Sequence, residues 1–324
     1  MVASKPVDKA VKMIVKRKFG KYVIVAFPVK TSYWKPRKSF LLEVCRKLEG
    51  KISHGDVIVF SEKALSVALN NIYDESTVKP RFIHKIMAFL IMNILWGYVL
   101  GEIVKLKRET IEWIRKTPIS EISAHKALSL KIGGLLQALK PSSEAGVDTS
   151  NVPYTYVSLP LTKCSIVEEL RRTLEKCLEK KVSVLIVDSD RAYVHRRLSL
   201  ALASRKTCLK HLRNYGVLSY ILGRTFRDTF YPRATPVMYS GMKIDLRLLL
   251  EVAEVADRAR GVGAGRTVFE MARRFGVSVG EVTWEMLSSI PHYPIVIVKF
   301  IRKEPHRRNN AVKSRCLGNG SNEI

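Results

Sequence analysis

Hard oxygen donors and fixed cations recur at three places in the sequence. The segment 144–153 (EAGVDTSNVP) presents Asp148 beside Thr149, Ser150 and Asn151 in a polar turn. The run 182–187 (VSVLIV) leads directly into Asp188, Ser189 and Asp190, and the run 55–60 (GDVIVF) leads into Ser61, Glu62 and Lys63. A carboxylate and a hydroxyl at the carboxyl end of a buried strand lie where α/β sheets place their ligands. Oxygens of this kind suit Mg2+ or Mn2+, which take one or two carboxylates and complete the shell with phosphate and water. A lysine at a strand end meets phosphate as a point charge. Two acidic loops in a basic surround therefore have the composition of a nucleoside-triphosphate site. Each element also has a plainer reading, since turn Asp and Asn residues bond their own backbone and Lys63 has Glu62 beside it.

A glycine-rich segment, 260–267 (RGVGAGRT), runs into a helical pattern. It is not a Walker A loop, because Arg266 sits where lysine should and the spacing differs. It reads either as a nest of backbone N–H groups ahead of a helix N-terminus or as a connector.

The elements that must position these residues are legible as hydrophobic runs. Strands are expected at 22–27 (YVIVAF), 56–60 (DVIVF), 182–187 and 294–300 (PIVIVKF). Helices are expected at 39–48, at 165–178 with Ser165 and Glu168 as a capping box, and at 246–256. Strands that are uniformly apolar and alternate with helices indicate an α/β (α+β) architecture, with mixed sheets covered by helices. Residues 86–101 carry no charge, but at 16 residues they fall short of the roughly 20 needed to span a bilayer, so a fully buried helix is expected.

Of the 324 residues, 56 are Lys or Arg and 29 are Asp or Glu, a net charge of +27. That balance, with 47% hydrophobic residues, excludes a disordered or low-complexity chain. It admits nucleic acid, an anionic membrane surface or a polyanionic small substrate as partner. Ten Lys and Arg against Asp228 alone lie between Arg191 and Arg233, which reads as a channel that collects an anionic substrate. His195 lies within this cluster, and nothing in the sequence fixes it as a catalytic base. Residues 267–287 have helix-turn-helix spacing, but their second helix would carry Glu281 and Glu285 and no Lys or Arg into the groove. A helical hairpin with Ser278 and Glu281 as a capping box is the reading preferred over DNA binding. The five cysteines form no CxxC pair and read as scattered thiols in a reducing compartment, the cytoplasm.

The four landmarks GDVIVFSEK, EAGVDTSNVP, VSVLIVDSD and PIVIVKF, in that order, resemble the coenzyme F420-0:L-glutamate ligase family (F420 gamma-glutamyl ligase), in a divergent archaeal branch. The resemblance implies an F420 ligase-like fold and a cytoplasmic homodimer. It also implies a GTP- and divalent-metal-dependent ligase that forms a gamma-glutamyl amide bond on F420-0, or a related anionic carboxylate, through an acyl phosphate. Its partners would be GTP, L-glutamate and that acceptor, with Mg2+ or Mn2+. Carried over residue by residue, Asp148, Asp188, Ser189 and Asp257 would hold the metal. Asn151, Lys63 and a turn at Pro28, Val29 and Lys30 would contact the nucleotide. The family's second lysine is replaced here by Val67, and its Phe-Gly-Arg-Pro by Asp190-Arg191-Ala192-Tyr193. The implied organisation is a basic extension at 1–21, a catalytic domain at 22–302 with an insertion at 261–289, and a disordered basic tail at 303–324. The alternatives are a nucleic-acid-binding protein and a catalytically silent nucleotide-binding relative.

Overall fold

Uniformly apolar strands need cover on both faces, and the sheet has it. The computed structural model describes residues 14–141 and 144–302; the expected tail and Cys316 lie outside the described residues. Ten strands are formed: β1 (Val15–Phe19), β2 (Tyr22–Thr31), β3 (Val57–Ser61), β4 (Ile72–Asp74), β5 (Tyr156–Ser158), β6 (Ser183–His195), β7 (Ala201–Ala203), β8 (Leu212–Asn214), β9 (Phe230–Ser240) and β10 (His292–Arg302). Eight of them make one mixed sheet in the order β1-β2-β10-β3-β6-β7-β8, with β9 also on β6; β4 and β5 pair separately. Residues 15–19, expected in the basic extension, are thus the sheet's edge strand.

The pleat sends successive side chains to opposite faces. Ile58, Phe60, Val184 and Ile186 pack against the helices Leu41–Leu48 and Ile166–Leu178. Val57, Val59, Leu185 and Val187 pack against the helix Leu246–Arg260. This two-sided burial is why the strands read as continuous apolar runs rather than alternating ones. The result is an α/β (α+β) fold in which helices cover a mixed sheet.

Several expectations are corrected. The strand at 182–187 does not end at Asp188 but continues to His195, with a register shift against β9 between Asp188 and Arg191. The Ser165 hydroxyl does not cap its helix; it donates to Glu169, while Glu168 binds Arg171, Arg172 and Ser240. Four cysteines are not scattered thiols: Cys45 is bonded to Cys177 and Cys164 to Cys208. The first pair ties the two helices of one face together. Because disulfides also occur inside cells of hyperthermophiles, they do not decide a compartment.

The apolar segment is not a fully buried helix. One continuous helix, Phe82–Ile103, is long and apolar enough to cross a membrane by length and composition, yet only 28% of its most apolar stretch is buried. Val67, which stands where the family's second lysine is expected, is buried. The helices Val268–Phe275 and Trp284–Ser288 pack as the expected hairpin around Met271, Val282 and Leu287, and the Ser278–Glu281 capping box is formed. A second helix of five residues is too short for a groove-reading element, and it carries Glu285.

Two histidines make stability depend on pH in opposite senses. Burial lowers the pKa of His125, but the Glu75 and Glu144 carboxylates outweigh it and raise it to about 9. Burial of His292 lowers its pKa to about 4. Between pH 6.5 and 9 the folded chain holds the His125 proton more tightly than the unfolded one, so its contribution is full below 6.5 and is lost as pH rises through 9. Between 6.5 and 4 the unfolded chain binds the His292 proton more tightly, so stability falls with pH there. Urea unfolding across this range is expected to show a maximum near neutrality. His125→Gln should flatten the alkaline limb, removing on the order of 3 kcal/mol of pH-dependent stability. An unchanged alkaline limb would contradict the assignment.

Candidate functional site

The parallel pairing of β3 with β6 sets the site. Its register runs from Val57 opposite Ser183 to Ser61 opposite Val187. The next residues, Glu62 and Asp188, therefore leave the pair side by side at the carboxyl end of β3. Two carboxylates emerging together from a low-dielectric core repel one another unless a cation lies between them.

That cation is Arg205. Its side chain is 1% exposed; it forms a bidentate pair with Glu62 and reaches Asp188 Oδ2 at 2.5 Å. Burial favours the neutral form of Asp188, but the charge and hydrogen bond of Arg205 outweigh burial and hold the carboxyl below its ordinary value. For Glu62 burial dominates and, with the Asp188 charge, keeps its carboxyl above the ordinary value despite Arg205. Glu62 also accepts from the Leu161 N–H at 2.9 Å. Arg205 belongs to the basic cluster 191–233, but it is a buried strut rather than part of a channel. Arg191, itself exposed, pairs with the buried Glu254, and Arg233 with the buried Glu251, so these charges too are matched by carboxylates.

The EAGVDTSN segment is laid over this arginine. Glu144, almost fully buried, accepts from Lys126 Nζ at 2.7 Å, and the same ammonium donates to the Ala138 and Lys140 carbonyls. Gly146 follows at φ +82°, and a Cβ there would stand 2.6 Å from Arg205 Cζ. A glycine is required by both the conformation and the contact. Asp148 then pairs with Ser158 through backbone bonds in both directions, at 3.1 and 2.9 Å. Its Oδ1 accepts from the Ser150 N–H at 2.8 Å, the local turn bond that Asp favours. Its Oδ2 is left for Lys63, whose Nζ is 2.5 Å away and also donates to Ser150 Oγ.

The expected residues thus divide into groups. Lys63, Asp148 and Asp188 come together: Lys63 contacts Asp148, and its charge lowers the pKa of Asp188. Ser189, one residue along an extended strand, is directed elsewhere. Its hydroxyl donates to Asp257 Oδ1 at 2.8 Å, and Arg260 binds both residues. Burial raises the pKa of Asp257, but Arg260 outweighs burial and holds it below the ordinary value. Of the four residues expected to form one metal site, Ser189 and Asp257 contact each other, while Asp148 contacts Lys63 and Asp188 contacts Arg205. Pro28, Val29 and Lys30 lie within β2 rather than in a turn. They line a cleft of about 520 Å³ with Lys47, Lys51 and Lys299, and Lys63 is not among its lining residues.

Asn151 is engaged by the glycine-rich loop. Its amide Nδ2 donates to the Gly265 carbonyl at 2.9 Å, and its Oδ1 accepts from the Ala264 N–H at 2.6 Å. The loop at 260–267 is thereby fastened beside Ser150 and Lys63 rather than left as a connector. Sequence reasoning missed Arg205, Glu62 and this clamp. The signal for Arg205 was present only as one charge in a basic cluster. That for Glu62 was its place in the register next to Asp188.

The donor chemistry can be tested against a divalent metal. Among the described residues no group of three or more His, Cys, Asp and Glu side chains could enclose an ion. Asp148, in contact with Lys63, and Asp188, within reach of its charge, are hard carboxylates of the kind a Mg2+-type ion takes while it draws the rest of its shell from phosphate and water. The fit does not extend to Ser189 and Asp257.

The sequence profile described as F420-0:Gamma-glutamyl ligase matches residues 28–213. The match takes in Lys63, the 146–151 segment, Asp188 and Arg205, and stops short of Asp257 and the glycine-rich loop. The chain is also similar to Uncharacterized protein MJ1361 of Methanocaldococcus jannaschii, with 32% identity over 286 residues, covering 85% of this chain and 96% of that protein.

Arg205→Met leaves Glu62 and Asp188 facing each other without a counter-charge. Unfolding stability should fall by about 3–5 kcal/mol. Adding Glu62→Gln to Arg205→Met should recover part of that loss, because it removes one of the two opposed charges. A loss below about 1 kcal/mol in Arg205→Met, the range of an exposed pair, would show that the arginine is not the strut described.

Proposed function

The chain belongs to the F420-0:gamma-glutamyl ligase family, whose members are ligases, and from that premise we propose a GTP- and divalent-metal-dependent formation of a gamma-glutamyl amide bond. The acceptor is F420-0 or a related anionic carboxylate. The observation that carries this reading is the convergence of Lys63 with Asp148 and Asp188 where the parallel strands β3 and β6 separate.

In the proposed reaction a carboxylate oxygen of the acceptor attacks the γ-phosphorus of GTP. The bond to the β–γ bridging oxygen breaks, and GDP leaves with that electron pair. The amine of L-glutamate then attacks the acyl carbon, the carbon–oxygen bond to phosphate breaks, and inorganic phosphate leaves as the amine gives up a proton. Phosphoryl transfer asks the protein chiefly for positioning and charge neutralisation. Lys63 supplies a compact cation on a rigid helix start. Asp148 and Asp188 would hold Mg2+ or Mn2+, which would neutralise phosphate charge. A cytoplasmic homodimer belongs to the same proposal.

Release of phosphate from GTP in the presence of F420-0 and L-glutamate tests the reading. The parent protein should release phosphate only with both co-substrates. Lys63→Ala, at an only partly buried position, should keep its fold by circular dichroism and lose about 10²–10³ in kcat/KM. Phosphate release that is unchanged in Lys63→Ala, or absent in the parent, would overturn it.

A further inference from the structure

The helix Phe82–Ile103 has two unlike faces. Ala88, Met92 and Trp96 are buried against the body of the protein. Trp96 donates its indole N–H to the Leu139 carbonyl at 2.8 Å and lies edge-on to Tyr220. The other face exposes Phe82, Ile83, Phe89, Leu90, Val99 and Ile103, with Phe82 at 77%. Tyr98 is also exposed there, under the guanidinium of Arg115 at 4.2 Å. No charged residue occurs from Ile86 to Gly101. An exposed apolar stripe of this extent marks an interaction surface.

The charges at its ends select the partner. Lys79, Arg81 and Lys85 precede the stripe, and Lys105, Lys107 and Arg108 follow it; all six are exposed. Glu102 is the one acid between residues 79 and 108. A second copy of the chain is a poor occupant. Two-fold pairing of this helix with itself brings basic end to basic end in either direction, so a homodimer would form through another face. An anionic partner turns the same ends into attraction. An exposed apolar helix face with aromatic residues, no charge of its own from Ile86 to Gly101 and flanking Lys and Arg is the pattern of a helix lying in a membrane interface. Its fixed inner face keeps the helix parallel to the protein surface, so it lies on a bilayer rather than crossing it.

We infer that the exposed face of Phe82–Ile103 docks the protein peripherally on an anionic lipid surface. The surface is separate from the proposed ligase site and does not depend on that reading.

Flotation of the full chain with vesicles tests this. The chain should float with phosphatidylcholine vesicles containing about 30% phosphatidylglycerol, and about tenfold less should bind vesicles of phosphatidylcholine alone. Phe89→Ser with Leu90→Ser changes only exposed positions and should reduce binding to the anionic vesicles about tenfold or more. Lys79→Glu with Lys85→Glu should reduce it by a similar factor and serves where the first variant does not fold. No flotation of the parent overturns the inference. So does flotation unchanged in the folded Phe89→Ser, Leu90→Ser protein, which would place binding on other basic segments. A dimer by light scattering that this variant alone dissolves would assign the face to a second copy and also overturn it.

Discussion

The site depends on a buried arginine placed between two carboxylates that the sheet register forces together. Parallel pairing of β3 with β6 brings Glu62 and Asp188 to the same level, and no side-chain choice within that register separates them. Arg205 makes the arrangement tenable by pairing with both. It also dictates the shape of the segment above it, because its guanidinium occupies the space where a residue larger than glycine at 146 would sit. From there the chain turns Asp148 toward Lys63 and Asn151 toward the glycine-rich loop. A buried ion pair of this kind is poor evidence for net stability. Its effect here is geometric, since it engages both Glu62 oxygens and Asp188 Oδ2 inside the fold.

Much of the sheet was legible because burial on both faces imposes uniform apolar runs, and 56–60, 182–187 and 294–300 all fall in it. The chemistry at the strand ends was legible for the same reason, since Lys63, Asp148 and Asp188 follow directly on, or lie in, conspicuous segments. Their assembly was not legible. Whether Asp188 faces Lys63 while Ser189 faces Asp257 depends on strand pleat and a register shift, which composition does not encode. The disulfides bring together cysteines 132 and 44 residues apart, contacts that spacing alone cannot specify. The apolar stretch at 86–101 misled in another way. Its lack of charge signals removal from water, and only the packing of its neighbours shows that one face was left open.

The excess positive charge separates into parts with different physical roles. Arg205, Arg191 and Arg233 are matched by carboxylates inside the fold. Lys30, Lys47, Lys51 and Lys299 line a cleft together with Phe27, Val29 and Ile297. The basic groups at the ends of Phe82–Ile103 flank an apolar ridge instead. One net charge therefore covers ion-paired arginines, a cleft lining and a surface helix, which is why the total alone did not choose among partners.

The central proposal is that Asp148 and Asp188, together with Lys63, form the place where a metal–nucleotide complex is held. Electron paramagnetic resonance of Mn2+ titrated into the protein with and without GTP tests it most directly. With only two carboxylates available, the account predicts weak binding of Mn2+ alone and at least about tenfold tighter binding when GTP supplies phosphate oxygens. Asp148→Asn should abolish that enhancement. Equal Mn2+ affinity with and without GTP, or an enhancement that survives in Asp148→Asn, would contradict the account.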